Sequence, residues 1–265
     1  MNKLHWGTNC IDCVEGLKLL KDESIDLTVT SPPYDNLRTY NGNIDQWNFD
    51  KFKEIAKELY RVTADGGVVV WIVADATIKG SETGTSFRQA LWFMDCGFNL
   101  HDTMIYAKAN PMPCKSKRYT PAFEYMFVFS KGQPKTFNPI MEDCKFAGKK
   151  SARTVIYADG TRKHYNKGFY KDTKVKRNVF EYNVGTGKGR GIKHPAVFPE
   201  QLANDHIVSW SNEGDVVLDP FSGSGTTHKM ALLNNRRFIG FEISQEYIDI
   251  ERKRLEDCGL WRYDY

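Results

Sequence analysis

Ile25-Asp26-Leu27-Thr28-Val29-Thr30-Ser31-Pro32-Pro33-Tyr34 is the stretch on which the fold turns. Its first half alternates with β-branched residues and reads as a buried strand. Pro32 and Pro33 then end the strand, because neither donates to a sheet ladder and each fixes its own φ. At the carboxyl end stand a hydroxyl (Ser31), a rigid carbonyl with no amide hydrogen after it (Pro32) and an aromatic face (Tyr34). A hydroxyl and a carbonyl side by side can accept two hydrogen bonds from one amino group, and the ring can stack on the flat molecule carrying that amine. In open α/β sheets, ligands gather at the carboxyl ends of strands. Taken alone, the same residues also describe a strand that stops at a Pro-Pro turn.

A distant stretch has a complementary character. Val216-Val217-Leu218-Asp219-Pro220-Phe221-Ser222-Gly223-Ser224-Gly225-Thr226-Thr227 is an apolar strand, an acidic residue and a glycine-rich turn, and residues 227–234 read as a helix. The glycines let a ligand approach the backbone, and the helix amino terminus presents free N–H groups. About one strand later, Phe238-Ile239-Gly240-Phe241-Glu242 places a carboxylate at a strand end, where it can hold ribose hydroxyls. A lone Gly-x-Gly carries little weight. Followed by strand–Glu, the arrangement is a nucleoside-cofactor pattern.

Together the two stretches resemble the amino-DNA methyltransferases, which use S-adenosyl-L-methionine to methylate N4 of cytosine or N6 of adenine. Ser31-Pro32-Pro33-Tyr34 matches the family's catalytic tetrapeptide, and Asp219-Pro220-Phe221-x-Gly223-x-Gly225 its cofactor loop. Catalysis precedes the cofactor loop, the order of the permuted class called beta. The resemblance covers nearly the whole chain except about residues 132–191. It implies a doubly wound, mostly parallel, Rossmann-like α/β sheet with a small basic target-recognition insert. The catalytic half would span 1–131, the insert 132–191 and the cofactor half 192–265. Since cofactor sulfonium and target amine must meet, the strand ending at Asp219 must lie beside the strand ending at Ser31.

The same resemblance assigns roles. Ser31, Pro32, Pro33 and Tyr34 would be catalytic. Asp219, Pro220, Phe221, Ser222, Gly223, Gly225, Thr226 and Glu242 would hold the cofactor, with Pro195 and Phe198 at its methionine end and Asp12 on its adenine amino group. Asp12 equally reads as a helix N-cap. The base must be flipped out of the duplex to expose its amine. Ser31 Oγ and the Pro32 carbonyl then accept the two amino hydrogens while Tyr34 stacks, and neither a cysteine nucleophile nor a metal is required. A carboxylate at position 31 is the common choice for adenine in the family and serine is more usual for N4 of cytosine, so cytosine is favoured with adenine the alternative. RNA or protein-glutamine methyltransferases usually carry Asn first, and an inactive DNA-binding partner subunit sits poorly with two intact motifs. Double-stranded DNA is the expected partner; a second copy of the chain and a companion restriction endonuclease are further partners such an enzyme admits.

Composition supports a nucleic-acid partner. The chain of 265 residues carries a net charge of only +4. Residues 131–193, however, hold 16 Lys and Arg against 5 Asp and Glu, while the remainder holds 21 against 28. A charge run is usually a solvated face, yet one basic segment on an acidic chain is better explained by a polyanion. Aromatic residues (Phe146, Tyr157, Tyr165, Phe169, Tyr170) interleave with Lys149, Lys150, Arg153 and Lys163 there, which fits short strands and loops that contact DNA. Lys188 and Arg190 lie in a glycine-rich run that reads as a basic hinge, without the strand and helix of a nucleotide loop. Lys115, Lys117 and Arg118 form a second basic loop at the sheet's expected active edge. Arg38 and Tyr40 lie in a polar segment able to touch the flipped base or a phosphate.

No apolar run approaches a membrane span and the amino terminus lacks a signal-peptide core, so a cytoplasmic protein is expected. Cys10-x-x-Cys13 has no second pair to complete a zinc site, and the six cysteines read as reduced thiols. The periodicity predicts helices over 14–20, 50–62 (stopped by Asp65-Gly66-Gly67), 87–94, 200–210 and 246–255. Strands are predicted over 4–10, 68–73, 101–108 and 123–130.

Overall fold

A computed structural model describes residues 4–33, 47–115, 117–184 and 199–260. In chain order the elements are β1 (Gly7–Cys10), α1 (Cys13–Leu19), β2 (Ile25–Thr30), α2 (Phe49–Val62), β3 (Thr63–Val73), β4 (Thr77–Ile78), β5 (Ser81–Glu82), α3 (Thr85–Asp95), β6 (Asn99–Lys108) and β7 (Phe123–Ser130). There follow β8 (Met141–Asp143), β9 (Lys150–Ile156), β10 (Arg162–Phe169), β11 (Thr173–Val175), β12 (Val179–Tyr182), α4 (Glu200–Trp210), β13 (Val216–Asp219), α5 (Thr226–Leu233), β14 (Arg237–Glu242) and α6 (Gln245–Glu256).

Eight strands make one sheet in the order β1-β14-β13-β2-β3-β7-β6-β12. All neighbours are parallel except β7, which runs against both β3 and β6. The expected meeting of the chain's two ends is present: β13 pairs with β2, Val217 opposite Leu27 and Leu218 opposite Thr28. On one face, α1, α2 and α3 cover a core containing Leu17, Phe52, Leu59, Trp71, Phe93 and Phe241. Leu27, Val29, Val70, Ile72 and Val217 are also fully buried, where α4 and α5 lie against β2, β13 and β14. Coverage on both faces is why β2 and β13 carry almost no exposed position.

Asp65-Gly66-Gly67 have the composition of a helix stop, yet they are not what ends α2. The helix ends at Val62, with Thr63 as its C-cap, and β3 begins at once. The glycines instead form a bulge, where pairing steps from Ile25–Thr63 to Leu27–Val68 and Gly66 adopts φ 72°.

The chain divides into two compact units, Met1–Asn138 with Asn178–Tyr265, and Pro139–Arg177. The smaller unit is narrower than the predicted insert at 132–191. Lys135 donates its N–H to the Gly66 carbonyl at 2.9 Å and Asn138 to the Ser209 carbonyl at 2.8 Å, which ties the segment before Pro139 to the larger unit. β12 completes the large sheet's edge, Val179 opposite Ile105, with Phe180 and Tyr182 buried. Four residues are too few to show a period within a basic stretch. Within the smaller unit, β9 pairs with β10 and β8 with β11, both antiparallel. Tyr34, Arg38, Tyr40, Lys188, Arg190, Pro195 and Phe198, and the expected hinge, lie outside the described residues. No helix among the described residues is long and apolar enough to cross a membrane.

Candidate active site

Two strand tips define the site. β2 delivers Ser31 and Pro33 half-buried and Pro32 buried. Beside it, β13 ends at Asp219, which is 2% exposed. Thr30 donates its hydroxyl to Asp219 Oδ1 at 2.6 Å, and the Phe221 amide donates to the same oxygen at 3.0 Å. Burial pushes the Asp219 carboxyl up to about 6, against the hydrogen bonds from Thr30, Phe221 and Thr227 that favour its charge. Asp219 therefore fastens the turn that follows it to the strand that carries Ser31.

The turn is held from three directions. Gly223 donates its amide to Glu242 Oε2 at 3.0 Å, and Ser244 donates its amide to Oε1 at 2.9 Å. Burial raises the Glu242 carboxyl, while those amide bonds oppose the rise. Ser222 donates its amide to the Phe241 carbonyl at 2.9 Å. Gly225, at φ 75°, caps α5, and a Cβ there would lie 2.3 Å from Glu251 Cγ. Glu251 is itself buried, accepting from the Thr8 hydroxyl at 2.6 Å and pairing with His228. Arg254 reaches the Ser224 carbonyl and donates to Glu200 at 2.7 Å, and Lys229 donates to the same carboxylate. Phe221 keeps its ring half-exposed, edge-on to Trp47 at 5.4 Å and to Trp71 at 6.2 Å.

Asp12 caps α1 as its position suggested: Oδ1 accepts from the Val14 amide at 2.9 Å. Its other oxygen accepts from Lys51 at 2.7 Å. Burial works to raise this carboxyl, but the bonds from Lys51 and Val14 outweigh it, and Asp12 lies below the usual range. Of the two neighbouring thiols, Cys10 is exposed, while Cys13 is buried and pushed up to about 12.

The basic candidates separate. The loop between β6 and β7 opens at the same edge as Ser31, since β7 runs antiparallel to β3 with Val73 opposite Tyr125. Lys115 and Lys117 are exposed on it. Arg118 is not: it donates to Thr77 Oγ1 at 3.0 Å, the Gly80 carbonyl at 2.9 Å and Glu82 at 3.3 Å, clasping the β4–β5 hairpin. In the smaller unit Lys149, Lys150, Arg153 and Lys163 are all exposed.

Thr30, Glu251, Arg254, Lys229 and Lys51 escaped the sequence reading. One signal for Glu251 was present. Tyr247, Ile248, Glu251 and Leu255 share the buried face of α6, so a carboxylate stands at core spacing. The others are contacts between distant segments and leave no local pattern.

A family model described as DNA methylase matches residues 25–253. This chain belongs to the DNA methylase family. The methylase is 54% identical over 245 residues to the orphan methyltransferase M.BamHII of Bacillus amyloliquefaciens, across 89% of this chain and 90% of that protein. Its fold is similar to that of the PvuII DNA methyltransferase (cytosine-N4-specific), with a TM-score of 0.71 and 23% identity over 98% of this chain and 87% of that one. It is also similar to the M1.HpyAVI–SAM complex, with a TM-score of 0.58 and 22% identity over 94% of this chain and 98% of that one. The methylase is thus an amino-DNA methyltransferase with a mainly parallel α/β sheet.

Proposed function

We propose that this methylase transfers a methyl group from S-adenosyl-L-methionine to the exocyclic N4 of a cytosine flipped out of duplex DNA. One observation carries the reading. The tips of β2 and β13 lie side by side, joined by the Thr30–Asp219 hydrogen bond, so that Ser31 follows directly on a residue bonded to the floor of the glycine turn.

The residues fit that methyl donor. Asp219 is a buried carboxylate whose raised pKa marks the cost of its charge, and an amino acid's ammonium group offsets that cost. Glu242 offers its carboxylate to a ribose diol, and Phe221 offers a half-exposed ring to an adenosine. When bound, the cofactor supplies a methyl carbon already activated by its sulfonium. Ser31 Oγ and the Pro32 carbonyl accept the two hydrogens of the target amine, which draws its nitrogen toward a tetrahedral shape and frees the lone pair from the ring. Positioning and exclusion of water supply most of the rate. Serine at 31 supports cytosine over adenine through the family resemblance, in which serine is more usual for N4 of cytosine and a carboxylate for N6 of adenine.

DNA sequenced from a host expressing the chain, with a readout that separates N4-methylcytosine from N6-methyladenine, tests the proposal. N4-methylcytosine at one recurrent sequence is expected. N6-methyladenine there would overturn the choice of base.

A further inference from the structure

The unit Pro139–Arg177 holds eleven Lys and Arg against four Asp and Glu. Glu142 pairs with Lys174 and Arg177, and Asp159 accepts from the amide and hydroxyl of Thr161 in its own turn. Among the described residues, no carboxylate pairs with Lys150, Arg153, Arg162 or Lys163. These four cations all stand on the ribbon made by β9 and β10.

The ribbon's two faces differ. On one, Tyr165 lies opposite Arg153 and Lys163 opposite Val155. The Tyr157 and Tyr165 hydroxyls are 3.0 Å apart, Lys163 Nζ sits 5.9 Å from the Tyr157 ring centre, and Val155 is half-buried. These side chains satisfy one another and stiffen a hairpin that would otherwise be marginal in water. On the other face Arg162 lies opposite Ile156, His164 opposite Thr154, and Asn166 opposite Ala152. Ile156 is 64% exposed, and His164 Nδ1 lies 2.7 Å from Thr154 Oγ1. This face offers a guanidinium suited to guanine, an amide suited to adenine and an apolar group suited to a thymine methyl.

We propose that this ribbon enters the DNA major groove and that Arg162, His164 and Asn166 read base edges there. The proposal rests on the duplex-DNA reading of the enzyme and deepens it. A two-stranded ribbon fits the major groove. Alternate residues of a strand are about 6.6 Å apart, and two base-pair steps span about 6.8 Å, so the three side chains fall in step with every second base pair. Arg153 and Lys163, on the opposite face, have stems long enough to reach phosphates at the groove's rim.

Full-length Arg162→Ala, His164→Ala and Asn166→Ala variants are compared with the parent on duplexes in which each base pair of the methylated sequence is changed in turn. Each variant should lose discrimination at one or two adjacent positions by roughly 5- to 150-fold, with cofactor affinity unchanged in the same samples. A double variant, Arg153→Gln with Lys163→Gln, should weaken binding to every sequence alike and reduce the salt slope by up to about 1.8. Intact discrimination in all three alanine variants, with the double variant weakened, would refute the reading face while leaving the unit on DNA. No change in any of the four would remove the unit from DNA altogether.

Discussion

Asp219 shows how much one residue carries. Its oxygen accepts from Thr30 and from the Phe221 amide, and burial lifts its carboxyl to about 6 from an ordinary 3.8. The folded chain therefore holds this proton more tightly than the unfolded chain, and ionised Asp219 costs the ligand-free fold stability. That cost is absent below about pH 4, grows between the two pKa values and is complete above about pH 6. Asp219→Asn keeps an oxygen for Thr30 and the Phe221 amide and sheds the charge. The ligand-free variant should melt higher than the parent at pH 8, by a ceiling of about 3 kcal/mol, and the gain should vanish in melts near pH 4. The same change should weaken S-adenosylmethionine binding about tenfold or more, since charge-assisted hydrogen bonds contribute roughly 1.5–3 kcal/mol. Unchanged affinity by calorimetry would remove Asp219 from the cofactor's contacts.

The glycine turn raises the corresponding question for a whole element. At Gly225 both backbone and space exclude a side chain: φ is 75°, and the nearest atom to a new Cβ belongs to Glu251, which Thr8 and His228 hold in place. Gly225→Ala should cost roughly 2–4 kcal/mol in denaturant melts. Gly214→Ala has a similar φ of 83° but open space around it, and should cost only the backbone strain, about 1–2 kcal/mol. Equal losses would show that the approach of Glu251 does not matter. Most elements were legible because their signals are local. The apolar run of β2 before two prolines and the periodicity behind Pro199 gave both elements closely. Three features misled or stayed silent for physical reasons. Asp65-Gly66-Gly67 has the composition of a helix stop, but its glycines serve a bulge. β12 is too short for a period to show. Arg118 reads in the sequence only as one cation of a basic loop, because charge is visible there and its clasp on the β4–β5 hairpin is not.

Across the whole molecule, strands drawn from residues 7–130 and 179–242 build one sheet, and the basic segment Pro139–Arg177 is a separate compact unit. The averaged charge of +4 conceals that partition, whereas the segment count reveals it. The candidate chemistry was readable from the sequence because the residues proposed to carry it, Ser31 to Tyr34, are consecutive. Its supports were not, because Thr30 meets Asp219 across 189 residues of chain and Arg254 meets Glu200 across 54. On the proposed function, this convergence brings a target amine to Ser31. A hydroxyl that accepts from the amine strengthens its bond as the nitrogen becomes tetrahedral, so its loss falls on the chemical step rather than on binding. The direct measurement is single-turnover methylation of the enzyme's own recognition duplex by Ser31→Ala. A slowing of roughly one to three orders of magnitude is expected, with cofactor and DNA affinities within a few-fold of the parent. A parental rate would make Ser31 a turn residue and remove it from the methyl-transfer chemistry.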